Sequence, residues 1–133
     1  MLHTRPSIRL AEITIDCRDP ARVGSFWSAL FRAPLRVPLE GWFRLGPMTD
    51  GGPVLNFQPV PEDKRGKARL HLDLVTDDLA AAVHTVVALG GQDLGDVHEY
   101  DEGTVMLMAD PEGNEFCLVQ HKAPAVLAPP AGA

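Results

Sequence analysis

With 133 residues, 45% hydrophobic and 23% charged, the chain has the size and composition of one ordinary globular domain or two very small ones. A formal net charge of -6 argues against a nucleic-acid partner, which needs a basic face, and no apolar run approaches the roughly 20 residues of a membrane span. The two cysteines, Cys17 and Cys117, stand in no metal-binding cluster and no disulfide framework, and the start MLHTRPSIRL lacks a secretion signal, so a cytoplasmic protein is expected.

The segment EITIDC (12–17) alternates apolar and polar residues, which predicts a strand. Ile13 and Ile15 take one face, and Glu12, Thr14 and Asp16 the other. Asp19 followed by Pro20 is a helix start, and Val23, Phe26, Trp27 and Leu30 form the apolar stripe of that helix, with Trp27 in the core. Three strands are predicted near 35–39, 42–46 and 53–60. In the last, Leu55 and Phe57 face the helix and leave Asn56 and Gln58 on the open side. Trp42 and Arg44 fall in a hairpin, placed to stack on and pair with an aromatic acid or simply to pack.

A polar linker, PEDKRGKA (61–68), leads to RLHLDLVTDD (69–78). There Leu70, Leu72 and Leu74 share one face of a second strand, and His71, Asp73 and Val75 the other. Asp78 caps a second helix carrying Leu79, Val83, Val86, Val87 and Leu89, which Gly90-Gly91 ends. Strands follow near 93–100, 103–109 and 114–120, with DEG (101–103) as a hairpin turn. Continued alternation sets Val105, Leu107, Phe116 and Leu118 toward the helix and leaves Met106, Met108, Glu115, Cys117 and Val119 open. Residues 122–133, rich in Pro, Ala and Gly, read as a disordered tail.

The chain repeats itself. Residues 12–31 lie over 71–90, with Asp19 on Asp78, and VLNFQPV (54–60) lies at the same offset on GNEFCLV (113–119). One domain (8–121) of two modules follows, the first 8–60 and the second 69–121. One helix per module covers only one sheet face. The other face mixes apolar residues with acids, amides, a His and a Cys, which suits the wall of a small-molecule site better than a solvated surface.

Paired strand–helix–three-strand modules, opened by ITIDCRDPARVGSFWSALF and closed by ADPEGNEFCLV, resemble the vicinal oxygen chelate superfamily: glyoxalases, bleomycin-resistance proteins and extradiol dioxygenases. FQPVPEDKRGKARLHLDLVTDDL and DPEGNEFCLV resemble its glyoxalase-like domain branch. The resemblance implies an α+β fold in which two βαβββ modules in tandem form a curved mixed sheet around a cleft. It also implies a homodimer, with the modules paired within a chain or between subunits.

Metal-using members bind a divalent ion through the first and last strand of each module. Carried over, those positions are Glu12, Gln58, His71 and Cys117. The usual set is His or Gln on the first strands and Glu on the last, so the set here departs from it, with Cys117 in place of the closing Glu, and this weighs against a metal. Glyoxalase I activity itself is not expected.

Two functions stay open. The first is a lyase or isomerase acting on an oxygenated or carbonyl compound. His71 and Glu12 would be its acid/base pair, and Asp73 would orient the imidazole or act as a base. The second is a non-catalytic drug- or metabolite-binding protein of the bleomycin-resistance sort. Its small-molecule ligand would meet Asp16, Asn56, Gln58, Met106, Met108, Glu115, Cys117 and Trp42. His84, His98 and His121 read as surface residues.

Overall fold

A computed structural model describes residues 5–122. The first module runs β1 (Glu12–Cys17), α1 (Pro20–Phe31), β2 (Leu35–Arg36), β3 (Phe43–Leu45) and β4 (Val54–Pro59). The second runs β5 (Leu72–Val75), α2 (Leu79–Ala88), β6 (Gln92–Tyr100), β7 (Gly103–Ala109) and β8 (Glu115–His121). Each module makes its own four-stranded mixed sheet, in the order β1-β4-β3-β2 in the first and β5-β8-β7-β6 in the second. The tail lies outside the described residues, apart from Lys122.

Local chemistry explains the shared plan. Asp19 accepts from the Arg22 amide at 3.2 Å, and Asp78 from the Ala81 amide at 3.1 Å, so each carboxylate satisfies a free amide in its helix's first turn. Asp101 and Glu102 make the two-residue turn between Tyr100 and Gly103. The polar linker is pinned at Glu115, which accepts from the Ala68 amide and pairs with Lys64 at 2.8 Å.

The modules share one core on their helix sides. Trp27 of α1 meets Phe116 of β8 edge-on, with ring centroids 4.8 Å apart, and Phe26 lies against the same ring. Trp27 Nε1 donates to Asp110, whose side chain has no exposed surface. Asp110 also accepts from the Glu112 and Asn114 amides and the Asn114 side chain, so the buried carboxylate is fully engaged. Glu112 returns across the modules to accept from the Arg18 and Asp19 amides. The DPEGN turn is therefore a tie between modules.

Three expectations need correction. Met106 and Met108 face the core, and Val105 and Leu107 face the open side. The partner strand fixes this: Met108 pairs with core residue Phe116, and Leu107 with Cys117. Second, Val87 of α2 and Leu89 just past its end are exposed, so the helix's buried stripe is Leu79, Val83 and Val86. Third, the repeat changes register on the last strand. Thr14 pairs with Asn56, while its repeat mate Asp73 pairs with Cys117. Asn56, not Gln58, is therefore the structural counterpart of Cys117. The slip is two residues, so face parity survives and only the identity of the mate changes.

Candidate functional site

The open face of the first sheet holds a closed polar network. Arg44 on β3 lies 3.3 Å from Glu12 and donates to Asn56 Oδ1 at 2.9 Å. Asn56 donates from Nδ2 to Glu12 at 3.0 Å and to Thr14 at 3.5 Å. Asp16 and Gln58 pair one step further along the strands. Trp42, half-buried just before β3, turns its amide to the Leu39 carbonyl and takes no part in this network.

The equivalent positions of the second sheet carry different chemistry. His71, just before β5, corresponds to Glu12, Asp73 to Thr14 and Cys117 to Asn56. His71 Nδ1 lies 3.1 Å from Asp73 Oδ1 and 3.9 Å from Cys117 Sγ. These three groups form the polar end of a cavity of about 350 Å³ on the concave side of the sheet. Val105, Leu107 and Val119 make its apolar wall, and His98 and Tyr100 of β6 stack at its rim with centroids 6.4 Å apart. Lys67, Ala68 and Glu115 close the linker side.

Electrostatics set the state of the site. Burial, and next the Asp73 charge, push the Cys117 thiol up from its usual range, so it is a protonated thiol near neutral pH. The Cys117 thiol and the Asp73 carboxylate both approach the same imidazole nitrogen of His71, Nδ1. A nucleophile–base–acid relay needs the thiol and the carboxylate on opposite ring nitrogens, so this is not a cysteine-protease-like triad. Burial alone would raise the Glu115 carboxyl, but Lys64 and the Ala68 amide outweigh it and hold it below the usual range. Cys17, the other thiol, is pushed up by burial and then by Glu112 and Asp110, and it points at the Ile15 carbonyl away from this cavity.

The sequence candidates thus separate into two groups. His71, Asp73, Cys117 and Glu115 line the second sheet's cavity, while Glu12, Asn56 and Thr14 belong to the first sheet's network. Glu12 does not join His71 in the cluster of metal-capable side chains, which holds His71, Asp73 and Cys117. His98 and Tyr100 were missed as cavity residues. Their two-residue spacing on one strand was the available signal, since it sets both on one face. A larger cavity of about 480 Å³ lies on the seam between modules, among Phe31, Met48, Leu55, Leu72 and Leu74. Its carboxylates do not converge, because Asp50 turns to the Gly52 amide and Asp73 to His71.

The four-position metal set does not fit this chain. At the first module, Arg44 already supplies the positive charge facing Glu12, and Asn56 turns its amide NH2 toward the same carboxylate. A divalent ion there would have to displace a guanidinium held by two partners.

Two tandem βαβββ modules with polar groups on their open faces define the vicinal oxygen chelate fold. The sequence profile of the glyoxalase-like domain matches residues 12–119, and the chain belongs to that family. No protein among those of curated function matches its sequence. Solved structures agree on the fold. A glyoxalase/bleomycin resistance protein/dioxygenase family enzyme from Burkholderia phytofirmans PsJN superposes with a TM-score of 0.69 at 18% identity, covering 84% of this chain and 97% of that one. The fosfomycin resistance protein FosX from Listeria monocytogenes gives 0.70 at 15% identity, covering 88% and 96%. FosX from Mesorhizobium loti gives 0.66 at 19%, covering 90% and 98%.

Proposed function

We propose that the chain binds a small, planar, largely apolar molecule on the concave face of its second sheet, with a polar group of that ligand meeting His71 and Asp73. The observation that carries this reading is the composition of the 350 Å³ cavity: an aliphatic wall, an aromatic rim and one convergent polar end. Thermal-shift screening with planar heteroaromatic and aromatic-acid compounds tests it. Stabilisation should vanish in Leu107→Glu, and Tyr100→Ala should weaken binding by about 0.5–1.5 kcal/mol. Binding indifferent to both substitutions would contradict the proposal.

One contact favours a catalytic variant of this reading. Asp73, 3.1 Å from His71 Nδ1, orients the ring and leaves Nε2 to act as a general base on an oxygenated or carbonyl compound. In that case His71→Ala abolishes turnover while ligand binding is weakened but persists on the apolar wall.

The binding species is proposed to be a homodimer. β1 and β5 are edge strands of their sheets, and the apolar side chains before them, Ile8, Leu10 and Leu70, and at the end of β5, Val75, are largely exposed. Pairing β1 of one copy with β5 of a second would cover these residues and set the Glu12–Arg44–Asn56 network against the His71 cavity.

A further inference from the structure

We infer that the ligand of the second sheet's cavity is an anion, a planar aromatic carboxylate whose charged end meets Lys67 on the linker side. This rests on the reading of that cavity as the binding site and adds the charge of its ligand. Lys67, Asp73 and Glu115 are the lysine and the two acids that line the cavity, and their partners inside the protein decide which of them is left for a ligand.

Glu115 is engaged. It pairs with Lys64 at 2.8 Å, both its oxygens accept from the Ala68 amide, and its side chain is only 12% exposed. A cationic ligand there would have to displace Lys64 from a mostly buried pair. Asp73 is turned to His71 Nδ1 at 3.1 Å. Lys67 has no ion-pair partner among the described residues. The linker fixes where it stands: Lys64 and Ala68, on either side of it in the chain, are both tied to Glu115, so the segment carrying Lys67 is held at the edge of the cavity. Its charge acts on the Cys117 thiol, opposing the rise that burial causes, so the ammonium lies within electrostatic reach of the polar end. The long aliphatic stem of a lysine can lie along an apolar wall while its head stays in water. A carboxylate beside that head gains a charge-assisted hydrogen bond, with its ring on Val105, Leu107 and Val119. A cation finds both acids already bonded and faces Lys67 itself. The net charge of -6 gives the chain no general pull on anions, so a preference for one reports a local group.

The probes are naphthoate and naphthamide, which share a ring system and differ in charge. Each is titrated calorimetrically into the full chain at neutral pH and low salt. Lys67 is exposed, so solvent screens its pairing and the effect is several-fold rather than orders of magnitude. Naphthoate should bind about five- to tenfold tighter than naphthamide, and added salt should narrow the gap. Lys67→Gln should bring naphthoate to the affinity of naphthamide while leaving naphthamide within about twofold of its parent value. Lys67→Arg should keep the preference and Lys67→Glu should reverse it. Circular dichroism on each variant separates loss of charge from loss of fold. Equal affinities for the two probes in the parent chain would overturn the inference and leave the cavity reading standing. A preference that survives in folded Lys67→Gln would assign the anion to another group and overturn it equally. Binding of neither probe, or naphthamide binding indifferent to Leu107→Glu, would overturn the cavity reading and this inference with it.

Discussion

At the residue scale, the engaged buried groups carry the strongest consequences. Asp110 is wholly buried and accepts from four donors, one of them Trp27 Nε1. Trp27→Phe keeps most of the ring packing but removes one of the two donors to Asp110 Oδ2, leaving that oxygen the Asn114 side chain alone. It should destabilise the chain by about 1–3 kcal/mol in urea unfolding. Glu115 gives a pH signature. Its folded pKa lies below the unfolded one because Lys64 and the Ala68 amide favour the charged form. A depressed carboxylate contributes stability that is present above the unfolded value, near 4.5, and is lost as pH falls through the folded one. Glu115→Gln should therefore flatten the acid limb of a stability-versus-pH curve below about pH 4.5. An unchanged limb would mean that the linker is held otherwise.

At the element scale, each helix stands on its cap. Asp78→Ala should cost about 1 kcal/mol of thermal stability through loss of the Ala81 contact. Gly91, between α2 and β6, admits no side chain: a Cβ there would sit 2.7 Å from Val86 Cγ1, 2.8 Å from the Ala109 carbonyl and 2.9 Å from Phe26. The carbonyl belongs to the sheet backbone and cannot retreat, so Gly91→Ala should lower stability by about 1–3 kcal/mol. The order of elements was legible because caps, turns and apolar stripes are local signals: Asp19, Asp78 and DEG sit where the sequence puts them. The facing of β7 was not legible. In GTVMLMA nearly every residue is apolar, so alternation has no contrast, and only pairing with β8 sets the phase. The mate of Cys117 was misread for a related reason. A two-residue slip keeps parity, and so leaves no mark on the hydrophobic pattern. The site was half legible. His71, Asp73 and Cys117 follow from strand parity, but the Arg44–Glu12–Asn56 network is a tertiary arrangement that no spacing in the chain encodes.

At the scale of the whole molecule, two modules with one shared plan carry different chemistry at equivalent positions: a closed ion-pair network in the first, an open cavity in the second. If β1 and β5 join across two copies, light scattering should report twice the 14.4 kDa of the chain. Leu70→Glu with Val75→Glu should return the mass to a single chain, and an unaltered dimer would place the interface elsewhere. The central claim is that the concave face of the second sheet is the binding site. Methyl-resolved NMR of the full chain, titrated with planar aromatic carboxylates and heteroaromatics, tests it most directly. The account predicts that bound fragments shift the methyls of Val105, Leu107 and Val119 together, and that Leu107→Glu removes the response. Fragments that instead move Leu55, Leu72 and Leu74, on the seam between modules, and leave those three methyls still, would contradict it.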